Sequence, residues 1–509
     1  MQFDTLDLTL APDEALLVIK VAHDVRGPRY AVRHGPRNPS FQKAAARGWL
    51  VAIAALSCNG AALASGSAVP GAKAAYSAAS PDFASAGLAA APCTGAIAID
   101  RPLGLPELVD LALCRAPSTR AAWASVRSAA ARQGQARSGY GPRIDATVAP
   151  DVVFTRRSGG GFPTSDDSAA SATARLSINW LLFDFGGREA LLAGAEANRA
   201  AALAAFADQA QAIVLETGLA YNALLEAIAS ETAARSNLSF ADISLRSADA
   251  RERAGVGIRS DRLQADAAVA QAQLQLRQAE GQVLTARGRL ATAIALPPTF
   301  PLRIAPPRPL GQAAALRSSA DALIAEADRL RPDLRIRSAN VDAANAAVRS
   351  AEAARRPTVS LGAGPAVSTG TVGQDVASAT VGVTLSIPLF DSGGRTWAVG
   401  EARSEAERAE ALLQDIRQQA ALDVWTRYQA LATQAANLDT ARRLLASAEE
   451  AAALAQGRYR SGVATITELL NAQASLASAR QQLVAAEFGV RSGELQLARS
   501  VGRIGDAVE

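Results

Sequence analysis

The phrase LFDFGGR at Leu182–Arg188 is written again as LFDSGGR at Leu389–Arg395. A glycine pair that follows a hydrophobic run does one of two things: it cradles a phosphate, or it turns a strand into a helix. A phosphate loop needs further glycines and a Lys that reaches the phosphates. Neither copy has them. Glycine adopts positive φ without steric cost, which lets a chain leave a strand at a sharp angle. Asp184 and Asp391 stand just before the glycines, where a carboxylate meets the positive end of the following helix. The phrase reads as a strand-to-helix joint, used twice.

The joint also serves as a ruler. Pro117 and Pro332 are 215 residues apart, as are Pro142 and Pro357. Arg188 and Arg395 are 207 apart, as are Tyr221 and Tyr428, and Gly255 and Gly462. The register therefore shifts once, between Pro142 and Arg188, where the first copy carries eight more residues. A constant offset with one shift in one loop is the mark of a duplicated unit. Each unit reads helix, strand, loop, strand, long helix, turn, helix.

In the first unit, IDATVAPDVVFT (144–155) and ARLSINWLLFD (174–184) alternate with period two. Ile144, Ala146, Val148, Val152 and Phe154 share one face, with Asp145, Thr147 and Asp151 opposite; Leu176, Ile178, Trp180 and Leu182 stand against Ser177 and Asn179. The second unit offers TVSLGAGPAVST (358–369) and TVGVTLSIPLF (380–390), with Val381, Val383, Leu385, Ile387 and Leu389 on one face. Strands of about ten residues that alternate apolar with small polar side chains fit an outer-membrane sheet. A half-buried sheet of a water-soluble domain has the same pattern.

The helices separate the two. From Arg188 to Ala254, and again from Arg395 to Ser461, 67 residues run without proline. Each predicts a helix of roughly 100 Å, far longer than a globular helix. Return helices near Asp261–Ala295 and Thr467–Val501, and the lead-in helices before Pro142 and Pro357, are about half as long. A return helix stacked end to end on a lead-in helix matches one long helix, so each chain predicts four columns of equal length. Ala-rich composition with only 5% aromatic residues suits such helices.

Composition narrows the function. His23 and His34 are the only histidines, and both lie near the start. Imidazole-based acid–base catalysis and most zinc chemistry are thereby removed, and the chain does not read as an enzyme. No cofactor motif or metal site is apparent. A net charge of +4 and no basic run with interleaved aromatics exclude a nucleic-acid footprint. Lys43 and Arg47, the apolar run from Trp49 and the Ala62–Ala64 small-residue site predict a secretory signal within an N-terminal extension, 1–64. Its removal takes seven Lys/Arg and five Asp/Glu and lowers the charge from +4 to +2. Lipidation at Cys58 is the weaker reading of the same segment. Cys93 and Cys114 then remain in an exported chain, where a disulfide is the commoner outcome than a metal site. After the signal no uninterrupted apolar stretch of about 20 residues occurs, so a membrane span here would be made of strands.

Four strands cannot close a barrel, and an open sheet in lipid leaves unpaired edges. Two chains would give eight strands and a filled interior, whereas three would give twelve and a lumen. At this point the chain resembles the TolC family of outer-membrane efflux and secretion proteins. The resemblance rests on the duplicated LFD.GGR and on RYRSGVATITELLNAQASL (458–476); RERAGVGIRSDRLQADAAV (251–269) in the first unit fits less well, with Glu252 where the second unit has Tyr459. It covers about Leu105 to Ile504. It implies a mixed, mainly α fold: two tandem repeats that form, in a trimer, a 12-stranded outer-membrane β-barrel continued by a long periplasmic α-helical barrel. It also implies a location in the outer membrane with a tunnel in the periplasm, and partnership with a periplasmic membrane-fusion adaptor and an inner-membrane ABC or RND transporter. The units are then a segment 65–104, a first repeat 105–296, a Pro-rich connector 297–318, a second repeat 319–504 and a tail 505–509.

For the sites, the resemblance implies that Asp261 and Glu468 ring the narrow end of the tunnel. Asn471 stands where relatives place a second acid, and Ala464 where an Arg lock occurs. The plain alternative for both acids is compensation of the helix dipole. Gly255 and Gly462 read as helix C-caps, and the tip residues Gly255, Val256, Tyr459, Gly462 and Val463 as an adaptor-docking surface or as solvated turns. Cys93 with Cys114, the latter closing DLALC, is similar to members serving toxin export. A periplasmic coiled-coil adaptor is the alternative reading, although the small β-rich module adaptors need is not visible.

Overall fold

The structure is a computed structural model that describes residues 101–159, 162–306, 318–371 and 375–505. The predicted signal, Cys58 and Cys93 lie outside the described residues. In chain order the elements are α1 (Leu105–Arg115), α2 (Pro117–Ser138), β1 (Arg143–Gly159), β2 (Phe162–Phe183), α3 (Gly187–Arg253) and α4 (Arg259–Ala293), then α5 (Ala320–Leu330), α6 (Pro332–Ala353), β3 (Thr358–Gly370), β4 (Val376–Ser386), α7 (Gly394–Arg460) and α8 (Ile466–Val501). Both long helices have 67 residues, each set one residue earlier than the proline-free runs indicated.

Side-chain contacts order the helices into columns. Toward the sheet, Gln133 of α2 meets Glu196 of α3, and Glu352 of α6 pairs with Arg403 of α7. Toward the far end, Asn222 and Ser244 of α3 bond Ser492 and Gln473 of α8. The row is therefore α2 followed by α4, then α3, then α6 followed by α8, then α7. The α2/α4 column and α7 are its two open edges. Buried alanines such as Ala234, Ala248, Ala265, Ala272 and Ala279 let neighbouring columns approach closely. One apolar window of α3 is long enough to cross a membrane, but half of it is buried against its neighbours. Its apolarity belongs to helix packing.

Where lead-in and return helices meet, α1 and α5 add a second layer. Leu108, Leu111, Leu224, Leu290 and Ile294 pack in one cluster, and Leu323, Val424, Leu431 and Leu497 in another. Two arginines fasten this level. Arg331 donates to Asp333, Asp423 and the Ser500 backbone oxygen, while Arg499 holds Asp208 and Gln211. Ile504, fully buried beside Val109 and Val214, closes the second repeat onto the first.

The strands form one antiparallel sheet in the order β1-β2-β3-β4. Registers such as Ile144↔Ile178, Ile178↔Ala363 and Ala363↔Val381 put the apolar positions of all four strands on one face. That face is exposed: Val148 is 61%, Phe154 81% and Val381 76% accessible. The other face carries Asp145, Asp151, Arg175 and Thr380, with Ser171 Oγ donating to Asp151 at 2.6 Å. Phe154 pairs with Ser168, and Trp180 lies twelve residues farther along β2. Twelve residues of strand tilted by about 40° span roughly 30 Å, close to the height of an outer-membrane apolar band with its aromatic girdles.

Three strands differ from the sequence reading, two in length and one in its bounds. β1 and β2 reach 17 and 22 residues, because the eight extra residues of the first copy lengthen this hairpin. It continues past the last β2–β3 pair, Ser171↔Gly370, by about 30 Å along the strand. β4 stops at Ser386, so Ile387 and Leu389 lie outside it. Pro388 has no N–H to give a ladder and sits poorly in a strand.

Candidate functional site at the helical tips

The end of the columns farthest from the sheet is built by two turns of one design. Gly255 at φ +73° and Gly462 at φ +79° sit just past the ends of α3 and α7. In the first turn Val256 N–H donates to Arg251 O at 3.1 Å and Gly255 N–H to Glu252 O at 3.0 Å. In the second, Val463 N–H donates to Arg458 O at 3.0 Å and Gly462 N–H to Tyr459 O at 3.1 Å. This paired bonding satisfies the last helical carbonyls and needs a left-handed residue, which glycine supplies. Val256 and Val463 project into solvent, 69% and 71% accessible.

Asp261 and Glu468 occupy the first turns of α4 and α8. Glu468 is engaged: its backbone N–H donates to the Thr465 hydroxyl, and its carboxylate pairs with Arg458 at 2.8 Å. The matching brace in the first hairpin uses other residues, Arg262 to Glu252 at 2.7 Å. Asp261 has no cation within ion-pair distance among the described residues. Asn471 is exposed one turn beyond Glu468.

Tyr459 departs from its expected place on the docking surface. It is 2% accessible and packs with Ala248, Ala265, Ala455, Ile466 and Leu469 between the two hairpins. Its ring therefore joins hairpins and offers nothing to a partner. Arg251 covers it, with the guanidinium 5.1 Å from the ring centroid and Nη1 donating to the Tyr459 backbone oxygen at 2.8 Å. The hydroxyl is buried with no hydrogen-bond partner among the described residues. Burial pushes the phenol pKa up, and the nearby Asp261 carboxylate pushes it further. The arginines were the residues that sequence reasoning missed. Their 207-residue spacing, Arg251 to Arg458, is the signal that marks them.

Cys114 lies in α1 and is disulfide-bonded, while its predicted partner Cys93 is outside the described residues.

Two tandem matches decide the family. The Outer membrane efflux protein family matches residues 108–296 and 323–503. The chain belongs to that family. Protein CyaE of Bordetella pertussis is 32% identical over 412 residues, 79% of this chain and 85% of the relative. Outer membrane efflux protein BepC of Brucella suis is 27% identical over 367 residues, 70% and 77% of the two chains. Among solved structures, the outer-membrane channel OprN superposes with a TM-score of 0.69 at 25% identity, covering 78% of this chain and 89% of that one. VceC of Vibrio cholerae superposes with a TM-score of 0.67 over 78% and 96% of the chains; at 21% identity this speaks for the fold. The protein is thus an outer-membrane channel component with its helices in the periplasm. Its family works in trimers with adaptors and inner-membrane transporters.

Proposed function

We propose that three copies of this chain form one tunnel that accepts cargo from an inner-membrane transporter through a periplasmic adaptor, and that the cargo is a protein delivered by type I secretion. The observation that carries the tunnel is the pair of open edges. A sheet with an apolar outer face ends at unpaired β1 and β4, and the helical row below it ends at the α2/α4 column and α7. Lipid does not tolerate free strand edges. Three chains supply twelve strands and twelve columns around one lumen. Exposed Leu263, Leu274 and Leu284 on α4, and Leu422, Trp425, Leu444 and Leu454 on α7, are the apolar side chains such closure would cover.

In this reading Asp261 and Glu468 form acidic rings at the periplasmic end, with Asn471 adding a polar but uncharged ring. Gly255, Val256, Gly462 and Val463 offer the adaptor its contact. Protein cargo is supported by the disulfide at Cys114, through the likeness of the cysteine pair to toxin exporters. Small-molecule efflux is the second reading, favoured by the name of the BepC relative. The mass of the detergent-extracted complex tests the tunnel: a trimer is expected, and a stable monomer or dimer overturns it. Loss of one secreted protein from a deletion strain, with drug susceptibility unchanged, is expected for type I secretion. The opposite pattern selects efflux.

A further inference from the structure

The two open edges of the helical row carry opposite charge near the sheet. α2 has four arginines, Arg120, Arg127, Arg132 and Arg137, and no acidic residue. From Gly394 to Asp415, α7 holds five acids and three arginines. Those arginines, Arg395, Arg403 and Arg408, are already paired within the protomer to Asp391, Glu352 and Glu405. Helical spacing places the remaining charges. On α2, buried Val126 and Ala129 lie on the side where Gln133 meets Glu196 of α3. Exposed Ala124, Ser128 and Ala131 lie about half a turn away, and Arg127 and Arg132 flank that stripe on opposite sides. On α7, buried Val399 and Ala406 lie on the side where Arg403 meets Glu352 of α6. Exposed Trp397, Ser404 and Ala411 form the opposite stripe, flanked by Glu401 and Glu407. None of these four flanking charges has an ion-pair partner among the described residues.

The duplication supplies a register. Inside the protomer α3 packs on α6, and a Cβ on Gly194 or Gly187 would lie 3.6 Å from the Cβ of Ala346 or Ala353. Adding 207 to the α3 numbers and taking 215 from the α6 numbers carries this contact to α7 and the α2 of another copy. Glu401 then stands opposite Ala131, and Gly394 opposite Ser138. In that antiparallel register Arg132 comes level with Glu401 on one flank and Arg127 with Glu407 on the other. Each match holds to within two residues, about 3 Å of helix rise. The internal seam has Gly194, Ala200, Asp342 and Ala347 at the same four places, so it can form neither pair.

We infer that Arg127–Glu407 and Arg132–Glu401 pairs join each copy to the next, and that they select a second copy of this chain as the neighbour. This rests on the proposed closure of copies into a ring and names the chemistry of its seam. Charges that flank a packed helical stripe choose partner and register, because a wrong partner sets like charge against like. The internal seam forms within one chain and has no partner to choose. The seam between copies joins two unlike faces, the kind of contact that closes a ring by repetition.

The test uses the full-length chain extracted at low salt. Ser128 and Ser404 face each other in the transferred register, so Ser128→Cys with Ser404→Cys should give an oxidative cross-link between copies. One side is then reversed alone, by Arg127→Glu with Arg132→Glu or by Glu401→Arg with Glu407→Arg. Each exposed pair contributes about twofold and a copy entering the ring makes four, so the cross-linked fraction at limiting concentration should fall roughly tenfold. All four reversals in one chain should restore it, which separates lost pairing from misfolding. The loss should shrink at 1 M salt, where the screening length is about 3 Å. Single-side variants that assemble like the native chain, or a fourfold variant that does not recover, overturn the seam. A complex of two copies that still cross-links would end the three-copy tunnel and keep the seam. No cross-link with the native charges in place overturns the seam whatever the number of copies.

Discussion

The two strand-to-helix joints share six of seven letters, yet the Asp–Arg pair is enclosed at one and open at the other. At the first, Arg188 reaches back to the Leu181 and Leu182 carbonyls at 2.5 and 3.0 Å, and its guanidinium lies 4.9 Å from the Tyr140 ring centroid. Trp180 Nε1 donates to the Tyr140 backbone oxygen at 2.9 Å. Arg188 and Asp184 are each only 13% accessible. At the second, Arg355 stands where Tyr140 would be and Ile387 where Trp180 would be, and Arg395 is 40% accessible. Leu389, Phe390 and Trp397 are exposed, whereas Ala190, the counterpart of Trp397, is buried. Both joints keep Asp bonded to the Arg backbone N–H and a glycine at φ near +90°. What differs is position in the row. The first joint feeds α3, which has neighbours on both sides, and the second feeds α7, an edge column. A duplicated phrase fixes the turn; its surroundings decide what the side chains do.

The sharpest way to break this comparison is to delete each arginine. Arg188→Ala removes donors from two carbonyls and strands a mostly buried Asp184, which should cost about 3 kcal/mol. Arg395→Ala should cost less than about 1 kcal/mol, as expected of an exposed pair. Thermal melting of the extracted assembly measures both. Equal losses would show that the two joints do the same work.

Trp397 sharpens the comparison from the other side. If α7 is an edge that a neighbouring protomer covers, Trp397→Ala should weaken assembly by about 2 kcal/mol per protomer, the burial worth of a large apolar side chain. The monomer fraction at limiting concentration reports it. A Trp397 that stays open to acrylamide quenching in the assembled state would assign it to lipid or water instead.

Much of this was legible because it is local. Proline-free runs gave the long helices to within one residue, glycine gave the tip turns, and period-two alternation gave the outward face of the sheet. Three features were not. β4 ends early because Pro388 outweighs an alternation that continues through Leu389. The burial of Tyr459 depends on two hairpins meeting across about 200 residues of chain, which no window of sequence displays. The reach of Arg251 depends on Glu252 and Arg262 having already paired, a competition visible only once distances are known. The same limit holds for Trp397, whose neighbour belongs to another copy in the proposed assembly.

The joints also differ in acid response. The Arg395 backbone N–H bonded to Asp391, aided by the Arg395 charge and Gly393 N–H, holds that carboxyl below its usual 3.8 despite some desolvation. A depressed carboxylate stabilises the fold above its unfolded pKa, and the contribution fades as pH falls through the lower, folded value. The second joint should therefore hold from neutral pH to about 4 and loosen below it. In a variant keeping Trp397 as its sole tryptophan, quenching should rise in that window. Asp391→Asn should abolish the transition, and a rise centred above pH 5 would contradict the assignment.

The smallest effect lies at the tips, where the two copies again diverge. Glu468 is paired with Arg458, while Asp261 has no cation within ion-pair distance among the described residues. If both acids face a narrow lumen, the unpaired one should contribute more of the field that concentrates cations, because low-dielectric walls focus an uncompensated charge. Asp261→Asn should then shift the reversal potential toward neutrality more than Glu468→Gln, by about a twofold change in cation preference at low salt. The difference should shrink as the screening length falls from about 30 Å at 0.01 M to about 3 Å at 1 M. Unchanged reversal potentials in both variants at low salt would return the acids to dipole compensation at the starts of α4 and α8. Equal shifts would mean that the Arg458 pair breaks in the conducting state.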